Sequence, residues 1–182
     1  MKFSMKKVTV LLADGFEEIE ALTVVDLLRR AKVYVDTVSI TDDYTVRGAH
    51  GIPVQTEDLI TEIDFKESDM IVLPGGMPGT TNLKEDENVR KAVQEAYDDG
   101  RYVAAICAAP TILADMGLLK GKRATCYPDM ESEIEDAYLT GAPVATDENI
   151  ITSQGVGTAI DFALKLIEVL ISEEKAVEIA DS

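Results

Sequence analysis

Apolar runs of strand length alternate along this chain with stretches whose apolar residues recur at helical spacing. Residues Lys7–Ala13 predict a strand, and Glu17–Ala31 a helix with Ile19, Leu22, Val25 and Leu28 on one side. A second strand follows over Val33–Ile40, then a hairpin from Tyr44–Val46 and Ile52–Gln55 around Gly48 and Gly51. Asp69–Leu73 reads as a short buried strand ending in Pro74-Gly75-Gly76, and Glu85–Asp98 as a helix closed by Gly100. Tyr102–Ile106 is the next strand, with a helix over Ala109–Met116 stopped by Gly117. Arg123–Cys126 predicts a strand and the acidic segment Asp129–Asp136 a helix. Pro143–Thr146 and Asn149–Ser153 pair as a hairpin. The long helix Val156–Ile171 turns Ile160, Ala163, Leu164, Ile167 and Leu170 inward, and Glu173–Ala180 closes the chain. Such alternation predicts an α/β domain with a mostly parallel sheet covered on both faces. With no repeat, low-complexity tract or linker, residues 1–182 read as one domain.

Composition narrows the functions. A hydrophobic content of 46% excludes disorder, while no apolar run reaches the roughly 18 residues of a membrane span. The basic start (Lys2, Lys6, Lys7) faintly imitates a leader, but its apolar part is short and runs into Asp14-Gly15-Phe16-Glu17-Glu18. A net charge of −17 with no basic cluster argues against nucleic-acid partners, since the phosphate backbone would be repelled. The single histidine, His50, excludes a His-rich metal site, and no Cys/His spacing suggests zinc, so no metal is expected. Two cysteines, Cys107 and Cys126, make no disulfide framework, which points to a cytoplasmic protein.

Cys107 carries the most chemistry. It closes the strand Tyr102–Ile106 and opens a helix, a corner where backbone N–H groups and the helix dipole favour a thiolate. Ala104, Ala105, Ala108 and Ala109 allow the close packing that glycines give a nucleophile elbow. The bland alternative is a small buried hydrophobe. Ligands in open α/β sheets gather beyond the carboxyl ends of the strands. Four features fall there: Asp14–Glu20, Gly75–Gly79, Cys107–Pro110 and Ser153–Thr158.

The segments Ala13-Asp14-Gly15-Phe16-Glu17-Glu18-Ile19-Glu20, Leu73-Pro74-Gly75-Gly76, Ala104-Ala105-Ile106-Cys107-Ala108-Ala109-Pro110 and Thr152-Ser153-Gln154-Gly155-Val156-Gly157-Thr158 occur in that order. Together they resemble the ThiJ/PfpI family, in the branch named for the parkinsonism-linked human protein (the DJ-one branch), over roughly residues 6–172. The resemblance implies a flavodoxin-like three-layer sandwich, similar to class I glutamine amidotransferases, and a homodimer. It implies Cys107 as nucleophile and Glu20 as the carboxyl against the thiol. A partly buried carboxyl of that kind stays protonated, donates to the thiolate and serves as a general acid/base. The backbone N–H groups of Gly76 and Ala108 would hold an oxyanion. Gly155 and Gly157 would permit tight packing against the thiol loop, while Glu17 and Glu18 fill a helix-start role. His50, Tyr127, Gly155 and Gly157 are possible pocket residues, His50 by reaching the neighbouring subunit; otherwise it is a lone surface histidine.

Some branches of the family carry histidine directly after the cysteine, where this chain has Ala108, and the related human protein has one where Tyr127 stands. No local imidazole activates Cys107. The implied function is a cofactor-independent, thiol-dependent activity on small reactive carbonyls such as methylglyoxal or glyoxal, glyoxalase-like or deglycase-like. The alternative is a redox sensor or stress chaperone working through a Cys107 sulfinate. A peptidase-like or amidotransferase-like hydrolase is a third, thinner reading.

Overall fold

The computed structural model describes residues 5–182, so Lys2 of the basic start and the first residues of the expected 1–182 domain lie outside it. The first strand, β1 (Lys7–Leu12), is followed by α1 (Glu18–Arg30) and β2 (Tyr34–Ser39). A hairpin, β3 (Thr45–Arg47) and β4 (Pro53–Gln55), leads to the short edge strand β5 (Asp58–Leu59). Then come β6 (Met70–Leu73), α2 (Gly79–Glu85), α3 (Glu87–Asp98), β7 (Tyr102–Ile106) and α4 (Pro110–Asp115). Two short strands, β8 (Arg123–Ala124) and β9 (Tyr138–Leu139), precede β10 (Val144–Asp147), β11 (Ile150–Ser153), α5 (Ala159–Leu170) and α6 (Glu173–Ala180).

The main sheet has seven strands in the order β10-β11-β7-β6-β1-β2-β5, all parallel except β10 against β11. Because strand side chains alternate faces, Val8, Val10 and Leu12 pack with Val24 and Leu28 of α1 and Phe162 and Leu166 of α5. Leu11, Ile71 and Leu73 point the other way, towards Val93 of α3 and Ile112 and Leu113 of α4. The expected three-layer, flavodoxin-like sandwich is present. From β1 the chain builds outward first through β2 and then through β6, so the strand order reverses beside β1. A crevice opens beyond the carboxyl ends of the strands at such a reversal. Among the described residues, no helix is long and apolar enough to cross a membrane.

Several elements depart from expectation. The predicted helix Glu85–Asp98 is α3, which starts two residues later because the Asp86 carboxylate accepts the N–H groups of Asn88 (2.8 Å) and Val89 (3.0 Å) as its N-cap. The segment before it, rich in glycine, proline and threonine, forms the unexpected α2. The acidic stretch after β8 is a 3₁₀ turn over Pro128–Ile134. A second 3₁₀ turn, Val156–Thr158, precedes α5 and shifts its frame. Ile160 is therefore exposed, while Ala159, Phe162, Ala163, Leu166, Ile167 and Leu170 face the core. On α1 the buried positions include Glu20, Ala21, Val24, Val25 and Leu28; Ile19 points to solvent.

Candidate active site

Cys107 occupies the corner between β7 and α4 with φ 65°, the left-handed region that costs a residue with a Cβ. Its N–H donates to the Ser153 carbonyl (3.0 Å), and its carbonyl accepts the Tyr127 N–H (2.8 Å). Neighbouring chain on both sides thus overdetermines the strained turn. Glu20 arrives from the first turn of α1 and is fully buried. Its Oε2 accepts the Gly75 N–H (2.9 Å), its buried Oε1 has no hydrogen-bond partner, and the carboxyl as a whole lies against the Cys107 thiol. Glu17 caps the helix: its Oε2 accepts the Glu20 N–H (2.9 Å), fixing the backbone from which Glu20 projects.

Glycines make the approach possible. A Cβ on Gly75 would lie 2.6 Å from both Cys107 Cβ and Glu20 Oε2. Gly76 has φ 91°, and its backbone, like that of Ala108, favours the Cys107 thiolate. A Cβ on Gly155 would meet Cys107 Sγ, Glu20 Oε1 and the Tyr127 ring, each at 3.8 Å, so these three groups converge on one point. Gly157 has open space where its Cβ would be, so it lines the rim without the tight packing expected of it. The resulting cavity, about 390 Å³, includes Glu17, Glu20, Gly76, Cys107, Tyr127 and Gly155 in its wall. A larger hollow, about 470 Å³, lies between Ile60–Lys66 and α3 and is lined by no cysteine.

His50 does not line the cavity. Its N–H donates to Glu18 Oε1 (2.7 Å), and its Nδ1 lies 2.8 Å from Glu18 Oε2 and 3.7 Å from Glu17 Oε1. These three residues are the one grouping of metal-type donors among those described, and both Glu18 oxygens are engaged by His50. The hydrogen bond to Glu18, then its charge, raises the His50 pKa. Burial would push Glu18 up, but the His50 ring and backbone N–H groups hold it below the usual carboxylate range. Glu17 and Glu18 are thus more than solvated helix-start charges: both are buried and bonded, and Glu17 faces the cavity. Sequence reasoning also missed Pro128 and Thr158 in the wall, residues whose types carry no chemical signal of their own.

Burial is the first cause pushing Glu20 up to about 7, with the Glu17 charge adding to it and hydrogen bonds from Cys107 and Gly75 opposing it. Cys107 is pushed up to about 12, by burial first and then by the charge and hydrogen bond of Glu20, against the pull of the Ala108 and Gly76 N–H groups. The helix start alone predicts a lowered thiol pKa. Here α4 is six residues long and begins only at Pro110, whereas the buried carboxyl is in contact and opposes ionisation of the thiol while it is itself charged. Two groups so coupled release one proton readily and resist losing a second. Cys126 is fully buried and pushed up to about 11, by burial and then by Glu131 and Glu133.

A doubly wound sheet with a strained cysteine at the end of an inner strand, set against a buried glutamate, defines a class of α/β proteins built around a reactive corner. Residues 6–169 match the DJ-1/PfpI family, and the chain belongs to that family. It is 40% identical to Protein DJ-1 homolog B of Arabidopsis thaliana, covering 99% of this chain but 42% of that protein's length. It is 34% identical to the glutathione-independent glyoxalase DJ-1 of Schizosaccharomyces pombe, over 94% of each. Among solved structures, Drosophila melanogaster DJ-1beta superposes with a TM-score of 0.94 at 35% identity, covering 98% of this chain and 97% of that one.

Proposed function

We propose that this protein converts small reactive carbonyl compounds, such as methylglyoxal or glyoxal, into hydroxy acids without a cofactor. The observation that carries this reading is the pairing of the strained Cys107 with fully buried Glu20 in a solvent-open cavity. As a carboxylic acid, Glu20 would satisfy both of its oxygens: Oε2 accepts the Gly75 N–H, and the otherwise unpartnered Oε1 would carry the proton and donate it to sulfur. As a carboxylate it would leave Oε1 buried with only a weak S–H donor, a costly arrangement. The single negative charge of the pair therefore belongs on sulfur. The thiolate adds to the aldehyde carbon, its π electrons move to oxygen, and Glu20 supplies the proton that completes a hemithioacetal. The Glu20 carboxylate then takes the proton from that carbon and delivers one to the adjacent carbon. The hydroxyl and oxo groups exchange places, leaving a thioester of a 2-hydroxy acid. Water cleaves the thioester, the thiol proton returns to Glu20, and the hydroxy acid departs as an anion with one proton released to solvent. The activity carried in the name of the S. pombe relative supports this chemistry. Hydroxy-acid formation from methylglyoxal and glyoxal tests it: Cys107→Ala and Glu20→Gln should each lose about 100-fold or more in kcat/KM. Wild-type turnover in Cys107→Ala overturns the reading.

A second reading is favoured by the same donors and by the 37% identical structure described as Toxoplasma gondii DJ-1, oxidized. Thiolate reduces one peroxide to water and becomes a sulfenate; a second peroxide gives a sulfinate that Gly76, Ala108 and Glu20 would stabilise. Graded peroxide followed by peptide mass spectrometry should show two added oxygens on Cys107 before any change at buried Cys126. Equal labelling of the two sinks this reading. A peptidase-like or amidotransferase-like role is disfavoured: Ala108 follows the cysteine, and His50 pairs with Glu18 outside the cavity.

A further inference from the structure

We propose that Glu17 makes the cavity charge-selective, admitting uncharged carbonyls and expelling carboxylates, including the product. The proposal rests on the reading of Cys107 and Glu20 given above and names the class of substrate that site accepts. Glu17 and Glu20 contribute two carboxyl groups to the wall, which contains no lysine, arginine or histidine. The backbone of Gly76 and Ala108 favours the Cys107 thiolate, so a substrate carboxylate would compete with the sulfur for their N–H groups. Glu17 spends Oε2 on capping Glu20, and Oε1 shares only a long 3.7 Å ion pair with His50 Nδ1, an imidazole bonded more closely to Glu18 at 2.8 Å. Two glutamates against one imidazole leave this trio negative even when His50 is protonated. The chain's net charge of −17 adds a background of the same sign.

The proposed reaction begins with a neutral molecule and ends with an anion formed beside two carboxyl groups. Repulsion then acts on the product and not on the substrate, so release is favoured without weakening the encounter. 2-Oxo acids, which already carry the charge, meet that repulsion on entry.

The test compares alkylation of Cys107 by iodoacetamide and by iodoacetate, near-isosteric reagents that differ in charge, with rates read at the Cys107 peptide by mass spectrometry. Relative to a small free thiol, wild-type Cys107 should disfavour iodoacetate by about tenfold, the effect of a unit charge a few ångströms away at a partly solvated site. Glu17→Gln keeps an oxygen to cap the Glu20 N–H but removes the charge, and should shrink that discrimination severalfold. Raising salt should speed iodoacetate and leave iodoacetamide unchanged in wild type, an arm that decides the matter if the variant fails to fold. Equal discrimination in a folded Glu17→Gln, or salt-independent iodoacetate rates in wild type, overturns the proposal. Alkylation needs no carbonyl turnover, so a charge-selective thiol that makes no hydroxy acid would refute the proposed reaction and leave the role of Glu17 standing.

Discussion

At Cys107 and Glu20 the question is where one negative charge resides. Both groups are pushed upward, to about 12 and about 7, because each is buried and each opposes the other's ionisation. The pair therefore loses its first proton near neutrality, and in the proposed reading a proton kept on Glu20, whose Oε1 otherwise has no partner, puts the charge on sulfur. Thiolate ultraviolet absorbance in a Cys126→Ala background should accordingly rise with a midpoint near 7. A midpoint near 12 would assign the charge to Glu20 and remove the nucleophile at working pH. Gly75 offers a steric check on the same pair. Gly75→Ala places a Cβ 2.6 Å from both Cys107 Cβ and Glu20 Oε2 and 3.0 Å from the Ile106 carbonyl. Something must move, at about 1–3 kcal/mol for an overpacked site. We expect a lowered melting temperature together with at least a tenfold loss of hydroxy-acid formation. Native rates and stability in this variant would mean that the contact is not needed.

Between elements, the loop joining β11 to α5 holds the far wall of the cavity, and Thr158 ties it together. The Thr158 hydroxyl accepts the N–H groups of Gly155 (3.1 Å) and Gln154 (3.3 Å), donates to the Gly155 carbonyl (3.0 Å) and meets Ser153 Oγ at 2.7 Å. Thr158→Val keeps the shape and removes these bonds, at about 1–3 kcal/mol. Because Gly155 faces Sγ and Glu20 Oε1, the loosened wall should raise KM more than it lowers kcat; unchanged steady-state kinetics would show that the loop is held by packing alone. Little of this was legible in the sequence. Strand polarity sends Cys107 and the segment Asp14–Glu20 to one sheet edge, but it was the resemblance to a known family that singled out Glu20 from Glu17 and Glu18. Thr158 and the capping role of Glu17 could not be read, since each depends on which backbone N–H comes within reach after folding. The strands β1, β6, β7 and β11 were legible as apolar runs. The frame of α5 was not, because the 3₁₀ turn at Val156–Thr158 leaves no mark in the periodicity, and α2 hid behind residues typical of loops.

For the whole molecule, the remaining expectation is assembly. Val24 and Leu28 of α1 are fully buried within the chain against the sheet and α5, so they provide no contact for a second copy, whereas Leu27 beside them is only partly buried. The exposed apolar residues on this side are Ile19 of α1 and Ile52 of the β3–β4 hairpin, each about half exposed, and His50 stands on the hairpin between them in sequence. A symmetric dimer through α1 and the hairpin would cover both isoleucines at once and bring His50 towards the partner. Light scattering at micromolar concentration should give twice the 19.8 kDa chain mass, and Ile19→Glu with Ile52→Glu should return it to one chain while leaving the far-UV signal native. If His50 also completes the partner's cavity, mixing inactive Cys107→Ala with impaired His50→Ala subunits should recover activity, because one site in each mixed dimer then has both groups intact. A wild-type monomer refutes the assembly. A dimer whose His50→Ala kinetics match wild type refutes only the shared site, and would restrict His50 to its contact with Glu18 in its own chain.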